Sequence, residues 1–359
     1  MTSDIPELLW TAAALTAGIQ GLGFLHGYWF QTEVFYDALG GINSLFFVGL
    51  AVVLNYTSFG NNANFFDESR KVSISALFAV SRLWLLAFLA WRAKERKGDG
   101  RFDELKPYFF TFLLVWIMQG VWCYCVALPL LVLTGVRGEA GKLSSPVDYL
   151  SVMFFLVGLV CEISSDIVKA SWVKEGRPGG FCTRGLWYYS RHPNYFGEIL
   201  MWWSAFGLCI QPMMVDSGVT GYMLLAVLSP LITTFLLLCV SGVPLAEGKH
   251  LERYLKYPDF PAYRKRTSCL VPMPPGVYER IPSLLQRLLL CEWKRYEYVE
   301  PAGASTSRQH PGSPKPSKRG SSGPRGKSRT SETRPSAVKK RPSSGTAKKR
   351  RGASVSGKK

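Results

Sequence analysis

The chain contains Gly221-Tyr-Met-Leu-Leu-Ala-Val-Leu-Ser-Pro-Leu-Ile-Thr-Thr-Phe-Leu-Leu-Leu-Cys-Val-Ser-Gly-Val-Pro-Leu245, a run of 25 residues without a charged side chain. A helix needs about 20 apolar residues to cross the hydrocarbon core of a bilayer. Six further runs come close to that length: Leu8–Phe30, Ile42–Phe59, Val72–Trp91, Tyr108–Leu133, Val147–Val168 and Tyr195–Val215. Together they predict an all-α membrane protein, a bundle of about seven transmembrane helices.

The mean hydropathy of +0.07 averages two regions of opposite character, residues 1–300 and residues 301–359. The second region holds seventeen Lys and Arg residues and one acid, Glu332, so it carries sixteen of the eighteen net positive charges. Large apolar residues are almost absent there, and nothing can offset the entropy of ordering the chain. We predict a membrane domain over 1–300 followed by a disordered basic tail.

Lys and Arg collect in alternate loops, which indicates the orientation in the membrane. The loop from Arg92 to Lys106 and the segment from Lys169 to Arg191 are rich in basic residues, whereas the loops between them are poor. The N-terminus is therefore predicted to be lumenal, and the basic loops and tail cytosolic. The segment Glu247–Pro272 mixes Leu and Tyr with Lys and Arg, and we expect it to lie along the cytosolic membrane surface.

The eight cysteines lie mostly inside apolar runs and form no C-x-x-C pair. They also lack clustered His partners, so the pattern predicts neither a zinc site nor a disulfide framework. Buried free thiols are the expected state, because Cys packs like a small hydrophobic residue.

The densest polar sequence is Thr183-Arg-Gly-Leu-Trp-Tyr-Tyr-Ser-Arg-His-Pro-Asn-Tyr-Phe-Gly-Glu198, which leads into the sixth run. Pro193 suits the first turn of a helix. The free amides of that turn, with Arg184, Arg191 and His192 beside them, predict an anion site for a phosphate group. Asn194 and Glu198 are four residues apart and share one helical face.

A second polar group, Glu162, Asp166 and Lys169, has spacings of four and three residues at the predicted cytosolic end of the fifth run. A carboxylate inside a span is costly unless it is paired or lines a wet cavity, so such acids are candidate functional residues. An alternative is that these acids pair with Lys169 or Arg191 and only hold helices together. Phosphate-binding cations beside carboxylates and an amide suit a nucleotide cofactor, although an anion channel or a lipid-phosphate site would share most of these features.

The sequence from Gly185 to Glu198 closely resembles the steroid 5-alpha-reductase family, in particular its less characterised members that carry the C-terminal reductase domain. The resemblance extends upstream to Glu162 and Asp166, and downstream to the Ser241–Glu247 and Tyr263–Thr267 segments. It covers most of residues 1–300 and none of the tail. It implies a seven-helix membrane reductase that binds NADPH from the cytosolic side.

The resemblance also implies roles for individual residues. Implied cofactor contacts are Glu162, Asp166, Arg184, Arg191, His192, Asn194, Tyr195 and Glu198, with Glu247, His250 and Tyr254 from the downstream block. No metal is implied. The steroid enzymes polarise an enone with a Glu and a Tyr from N-terminal helices, for which Glu33 and Tyr36 are the candidate catalytic residues here, with Arg82 as a further stand-in.

The expected reaction is hydride transfer from NADPH to an electron-poor C=C bond of a steroid or other lipid-like substrate, completed by an acid. The resemblance also implies that the protein lies in the membrane of the endoplasmic reticulum. The isoprenylcysteine carboxyl methyltransferases share the Arg-His-Pro-x-Tyr core, so an S-adenosylmethionine-dependent methyltransferase is the main alternative. A non-catalytic membrane anchor is the second, because the tail would bind any polyanion or anionic lipid in a salt-sensitive way. The tail predicts no specific nucleic acid.

Overall fold

The computed structural model describes residues 4–58, 68–96, 102–136, 138–293 and 296. The predicted disordered tail lies outside these residues, as do positions 97–101 of the basic third loop. Within the described ranges the chain forms helices, and the only strand-like pairing is an isolated parallel bridge between Ser190 and Ser268. The all-α class is confirmed.

Among the residues that the structure describes, seven helical segments are long and apolar enough to cross a membrane, so the predicted number of spans is confirmed. The first five segments are single helices: α1 (Asp4–Trp29), α2 (Tyr36–Ser58), α3 (Ser69–Arg96), α4 (Phe109–Thr134) and α5 (Pro146–Lys174). The sixth consists of α6 (Pro193–Gly207) and α7 (Ile210–Val215). The seventh consists of α8 (Thr220–Leu225), α9 (Leu228–Phe235), a π-helical turn (Leu236–Val240) and α10 (Val243–Tyr254). Three short helices follow: α11 (Phe260–Arg266), α12 (Pro275–Tyr278) and α13 (Ser283–Leu289).

The seventh segment differs from the prediction, because α10 continues it and packs inward. Gly242 and Pro244 explain the break before α10, since a Cβ at Gly242 would lie 2.4 Å from the Leu237 carbonyl oxygen, and proline suits the first turn of a new helix. Glu247, Leu251 and Tyr254 are buried in the protein. One face of α10 is therefore turned toward the protein rather than toward lipid.

Helices α5 and α6 contact each other backbone to backbone through two glycines. A Cβ on Gly158 would lie 2.7 Å from the Gly197 carbonyl oxygen, and a Cβ on Gly197 would lie 2.5 Å from the Gly158 carbonyl oxygen. Small residues allow this close approach between membrane helices. The contact places Glu162 of α5 directly against α6, because the Gly197 Cβ position is only 2.8 Å from the Glu162 backbone nitrogen.

The two ends of the bundle differ in chemistry. At one end, α3, α5 and α10 finish with basic residues near their last turns, Arg92, Lys174 and Arg253; we call this the basic end. At the opposite end, Arg70 at the start of α3 is fully buried and pairs with Asp148. Its guanidinium also donates to four other groups within 3.0 Å, namely the carbonyl oxygens of Ala140, Lys142 and Leu208 and the side chain of Gln211. Asp148 in turn accepts from the amides of Ser144 and Ser145 and so caps the start of α5.

Candidate functional site

Four polar side chains from α5 and α6 meet inside the bundle, toward the basic end. We call them the carboxylate–amide cluster: Glu162, Asp166, Asn194 and Glu198. The three acids are at most 9 % exposed. Their meeting follows from the glycine contact between α5 and α6, and from helical spacing, which puts residues four apart on one face. The structure thus brings four of the predicted cofactor residues together.

Glu198 is held by α3 and by its own helix. Arg82 Nη2 donates to both carboxylate oxygens of Glu198 at 3.1 Å, and Trp202 Nε1 donates to Oε1 at 2.8 Å. The Arg82 guanidinium also stacks over the Trp202 ring, 4.7 Å from its centroid. Since Arg82 is only 1 % exposed, this is an ion pair withdrawn from solvent. Its orientation is fixed by charge and by packing.

Asp166 and Asn194 form the other half of the cluster. Asn194 Nδ2 donates to Asp166 Oδ1 at 3.2 Å. Two buried oxygens, Glu162 Oε2 and Asn194 Oδ1, have no hydrogen-bond partner among the described residues. Buried polar atoms are nearly always hydrogen-bonded, so these two oxygens call for a donor from water or from a ligand.

Lys169 does not neutralise this cluster. Its ammonium lies over two indole rings, 4.2 Å from the Trp187 centroid and 4.8 Å from that of Trp172. Among the residues that the structure describes, no ion pair within 4.0 Å joins Glu162 or Asp166 to Lys169 or Arg191. The alternative in which these acids serve only to lock helices through those cations is therefore not what the packing shows.

Arg191 belongs to a second group, which we call the arginine–carboxylate network: Arg191, His192, Glu247, Arg264 and Glu292. Arg191 Nη2 donates to both oxygens of Glu292 at 2.8 Å, and its Nε lies 3.7 Å from Glu247 Oε1. Arg264 Nε donates to Glu247 Oε2 at 3.2 Å. The Arg191 side chain is 2 % exposed. The negative charges of Glu247 and Glu292 balance the positive charges of Arg191 and Arg264, so the network is nearly neutral. These carboxylates hold the pKa of Arg191 well above its usual value, against the lowering effect of burial.

The backbone around Arg191 explains why the side chain points inward. The Arg191 amide donates to the Ser268 carbonyl oxygen at 2.9 Å, and Ser190 Oγ donates to the Leu270 carbonyl oxygen at 2.7 Å. Tyr263 of α11 donates to the Trp187 carbonyl oxygen at 2.6 Å. The segment before α6 is thus bound to the chain after α11, and Pro193 starts the helix immediately behind it.

His192, Glu247 and His250 bring three metal-ligand groups within 4.8 Å of one another. His192 Nε2 lies 2.8 Å from Glu247 Oε1, but both oxygens of Glu247 already face arginines. Two guanidinium groups beside the same carboxylate oppose a further cation there. Burial lowers the pKa of His192, an effect that the neighbouring Glu247 partly offsets, so its imidazole is neutral at pH 7.

The remaining predicted residues lie around these two groups or apart from them. Tyr195 stacks on His192 with ring centroids 5.4 Å apart, and Tyr254 packs against Phe260 at 5.4 Å. Arg184 lies on the surface, where it pairs with Glu175 at 2.8 Å and is about half exposed. The structure therefore does not bring Arg184 to either group.

Glu33 and Tyr36 lie at the basic end but in a different part of it. Lys106 donates to Glu33 at 3.1 Å, and Tyr36 Oη donates to the Val115 carbonyl oxygen at 3.2 Å. The Tyr36 ring packs against Trp116 of α4, with centroids 5.1 Å apart. None of these contacts involves the carboxylate–amide cluster.

Sequence reasoning missed Arg264 and Glu292, and it named Arg82 only as a stand-in. Glu292 follows its partner Arg191 by 101 residues, in a segment without a motif. The one sequence signal of a functional role was a charged residue in the middle of an apolar run. Only Arg82 of these three residues has that position.

A comparison with known protein families matches residues 23–267 to the family described as "Protein of unknown function (DUF1295)". This match covers more than half of the chain. The protein belongs to the DUF1295 family. Both groups of polar residues, except Glu292, fall within the DUF1295 match. No curated protein and no solved structure matches the chain.

Proposed function

We propose that the protein is an NADPH-dependent membrane oxidoreductase that reduces a C=C bond of a steroid or other lipid-like substrate. The observation that carries this proposal is the pair of unpartnered buried oxygens, Glu162 Oε2 and Asn194 Oδ1, in the carboxylate–amide cluster. The resemblance of the Gly185–Glu198 sequence to the steroid 5-alpha-reductase family, and membership of DUF1295, support it.

The residues fit the polar groups of the cofactor. A carboxamide and ribose hydroxyls are donors, and the two unpartnered oxygens are acceptors of the kind that such donors need. The phosphates require cations. Arg191 can bind a phosphate only if its guanidinium gives up its contact with Glu292 or Glu247. The cavity enclosed between Lys169, Arg191 and Glu247 holds about 10 Å³. That is scarcely room for one water, so the network must open for a phosphate to enter.

Bound NADPH would supply a hydride, and reduction of a C=C bond also requires a proton. We assign this proton to the Glu162 carboxyl group, because it is buried beside the Glu198 carboxyl group. Arg82 and Trp202 fix the Glu198 carboxylate from two sides. The indole ring of Trp202 and the burial of Glu162, Asp166 and Glu198 exclude bulk water from the cluster. Electrostatic contacts are stronger where water is excluded.

The test is a thermal-shift titration of the full-length protein in detergent with NADPH and with S-adenosylmethionine. We expect stabilisation by NADPH, worth about 2.7 kcal/mol at a hundredfold excess over Kd. Asn194→Ala should weaken NADPH binding roughly 3- to 10-fold through loss of a hydrogen bond. Arg184→Ala is the matched control, because Arg184 lies outside both groups.

Each other outcome has a definite meaning. Stabilisation by S-adenosylmethionine alone would reject the reductase in favour of a methyltransferase. Stabilisation by neither cofactor would favour a non-catalytic membrane anchor with a polyanion-binding tail.

The proposed enzyme has its cofactor site and C-terminus in the cytosol, in the endoplasmic reticulum membrane. The asymmetry of Lys and Arg between loops supports this orientation. Reporter tags at Met1, in the loop at Gly98 and at Lys359 test it. A lumenal Gly98 loop would contradict a cytosolic cofactor site.

A further inference from the structure

Helix α13 turns its apolar face outward and its polar face toward the protein. Four of its seven residues are leucines that are 42–69 % exposed, namely Leu284, Leu285, Leu288 and Leu289. At 3.6 residues per turn these four lie within about 140° of one another, and we call them the leucine face. Gln286 lies on the opposite side, where its Nε2 donates to the Tyr278 carbonyl oxygen at 3.0 Å. A surface helix in water has the reverse arrangement, so the leucine face indicates an apolar partner.

Hydrogen bonds from the neighbouring chain hold α13 in this orientation. Trp293 Nε1 donates to the Arg287 carbonyl oxygen at 3.0 Å, and the Glu292 amide donates to that of Gln286 at 3.1 Å. The Tyr278 hydroxyl donates to the Glu292 carboxylate at 2.9 Å. Rotation of the leucines toward the protein would break these bonds. The partner of the leucine face must therefore approach from outside.

The segment after α13 places the helix at the edge of the hydrocarbon core. Tyr296 and Leu238 are buried in one cluster, against which Tyr195 and Trp293 pack, and Tyr296 Oη donates to the Leu238 carbonyl oxygen. Tyr195 lies in the first turn of the sixth span. Leu238 follows Thr220, the first residue of α8, by eighteen residues, and about 20 residues cross the core. Both spans thus reach the membrane boundary at this cluster, and α13 ends four residues before Trp293.

Basic residues accompany the leucine face. Arg280 and Arg287 are exposed on either side of the start of α13. From Arg280 to Lys359 the sequence has 21 Lys and Arg residues and four acids. One of these acids, Glu292, is already paired with Arg191. Leucines beside an excess of positive charge are typical of helices that lie in the interface of a membrane with anionic lipids.

We propose that the leucine face of α13 docks into the lipid leaflet at the basic end, and that it does so preferentially when this leaflet contains anionic phospholipids. The leucines enter the outermost part of the hydrocarbon layer. Arg287, at the edge of the leucine face, extends to the lipid phosphates. Glu292 follows α13 by three residues, so docking also fixes the partner of Arg191. This surface does not depend on the proposed cofactor, and its test needs none.

The experiment compares two exposed positions of α13 in the full-length protein. An environment-sensitive fluorescent amino acid replaces either Leu288, on the leucine face, or Ser283, on the polar side of the same helix. The protein is placed in nanodiscs of phosphatidylcholine, with or without phosphatidylserine, whose brominated acyl chains quench a probe that enters the lipid. One protein in each nanodisc keeps a second copy of the chain away. We expect blue-shifted, quenched emission at position 288 but not at position 283, and stronger quenching with phosphatidylserine.

A pair of variants tests the leucine face with the probe moved to position 284. Leu288→Glu places a charge in the leucine face, whereas Ser283→Glu places the same charge on the polar side. Both positions are exposed, so neither change removes a packing contact. Leu288→Glu should lower the ratio of docked to undocked α13 by roughly 10- to 100-fold, as expected for the lost burial of one leucine. Ser283→Glu should leave the quenching unchanged.

Two results would overturn the proposal. An unquenched probe at position 288 would show that the leucine face lies outside the lipid, in water or against another protein. Equal quenching at position 288 in nanodiscs with and without phosphatidylserine would show that anionic headgroups play no part in docking. Thermal unfolding of each labelled protein confirms that the probe has left the fold intact.

Discussion

Arg191 and Glu292 form an ion pair in which one guanidinium nitrogen, Nη2, donates to both carboxylate oxygens at 2.8 Å. Glu292 also accepts from the Tyr278 hydroxyl at 2.9 Å. The pair thus fastens the chain beyond α13 to the segment that precedes α6. Arg191 therefore holds these two segments together as well as being a candidate phosphate ligand.

Arg191→Ala should therefore destabilise the protein even without cofactor. Removing one partner of a buried pair leaves the other uncompensated, which costs about 3–5 kcal/mol. Thermal unfolding of the ligand-free protein measures this, with Arg184→Ala as the exposed control. An unfolding temperature unchanged in Arg191→Ala would show that the Arg191–Glu292 pair contributes nothing to stability, and would leave Arg191 a purely ligand-binding role.

Gly197→Ala should separate α5 from α6. The new methyl would meet the Gly158 carbonyl oxygen at 2.5 Å, and overpacking of this kind typically costs about 1–3 kcal/mol. Gly18→Ala, where a Cβ meets nothing within 4 Å, is the control and should be neutral or stabilising, because Ala favours helix over Gly. If both variants unfolded at the same temperature, the close contact would not determine how the two helices pack.

Arg82→Met should destabilise the protein by about 3–5 kcal/mol, because it strands the buried Glu198 carboxylate. The double variant Arg82→Met/Glu198→Gln removes both charges and should recover much of that loss. The affinity of the double variant for NADPH then distinguishes a role of the pair in cofactor binding from a purely structural role. We expect the double variant to regain stability and not cofactor affinity; recovery of both would show that the pair is only structural.

His192 makes stability depend on pH. Its pKa is lowered in the folded protein, below the ordinary value of 6.5, mainly because it is buried. Below a pH of about 6.5, His192 is therefore protonated in the unfolded chain but not yet in the folded one. The free energy of unfolding falls as the pH drops through this range. Unfolding temperatures of the wild type between pH 7.5 and pH 5 should fall more steeply than those of His192→Gln, which has no such proton to take up. Parallel curves would assign the acid sensitivity to other groups.

The fold could be predicted from the sequence because each span repeats one simple requirement, a helix-length apolar run. The local part of the candidate site could be predicted for a similar reason, since Asn194 and Glu198 share one helix face. The partners of those residues could not. Glu292 lies 101 residues from Arg191, and only the folded chain brings the two together. The inward course of α10 was missed because its basic residues resemble those of a surface helix, although Glu247, Leu251 and Tyr254 face the protein.

The buried Arg70 at the end opposite the candidate site joins α3, the loop before α5, α5 itself and the α6–α7 corner. No donor nitrogen of its guanidinium is idle, so relative movement of these helices there would break several charge-assisted bonds at once. The helices are therefore fastened to one another at this end, and we expect them to move relative to one another more readily at the basic end, where the two groups of the candidate site lie.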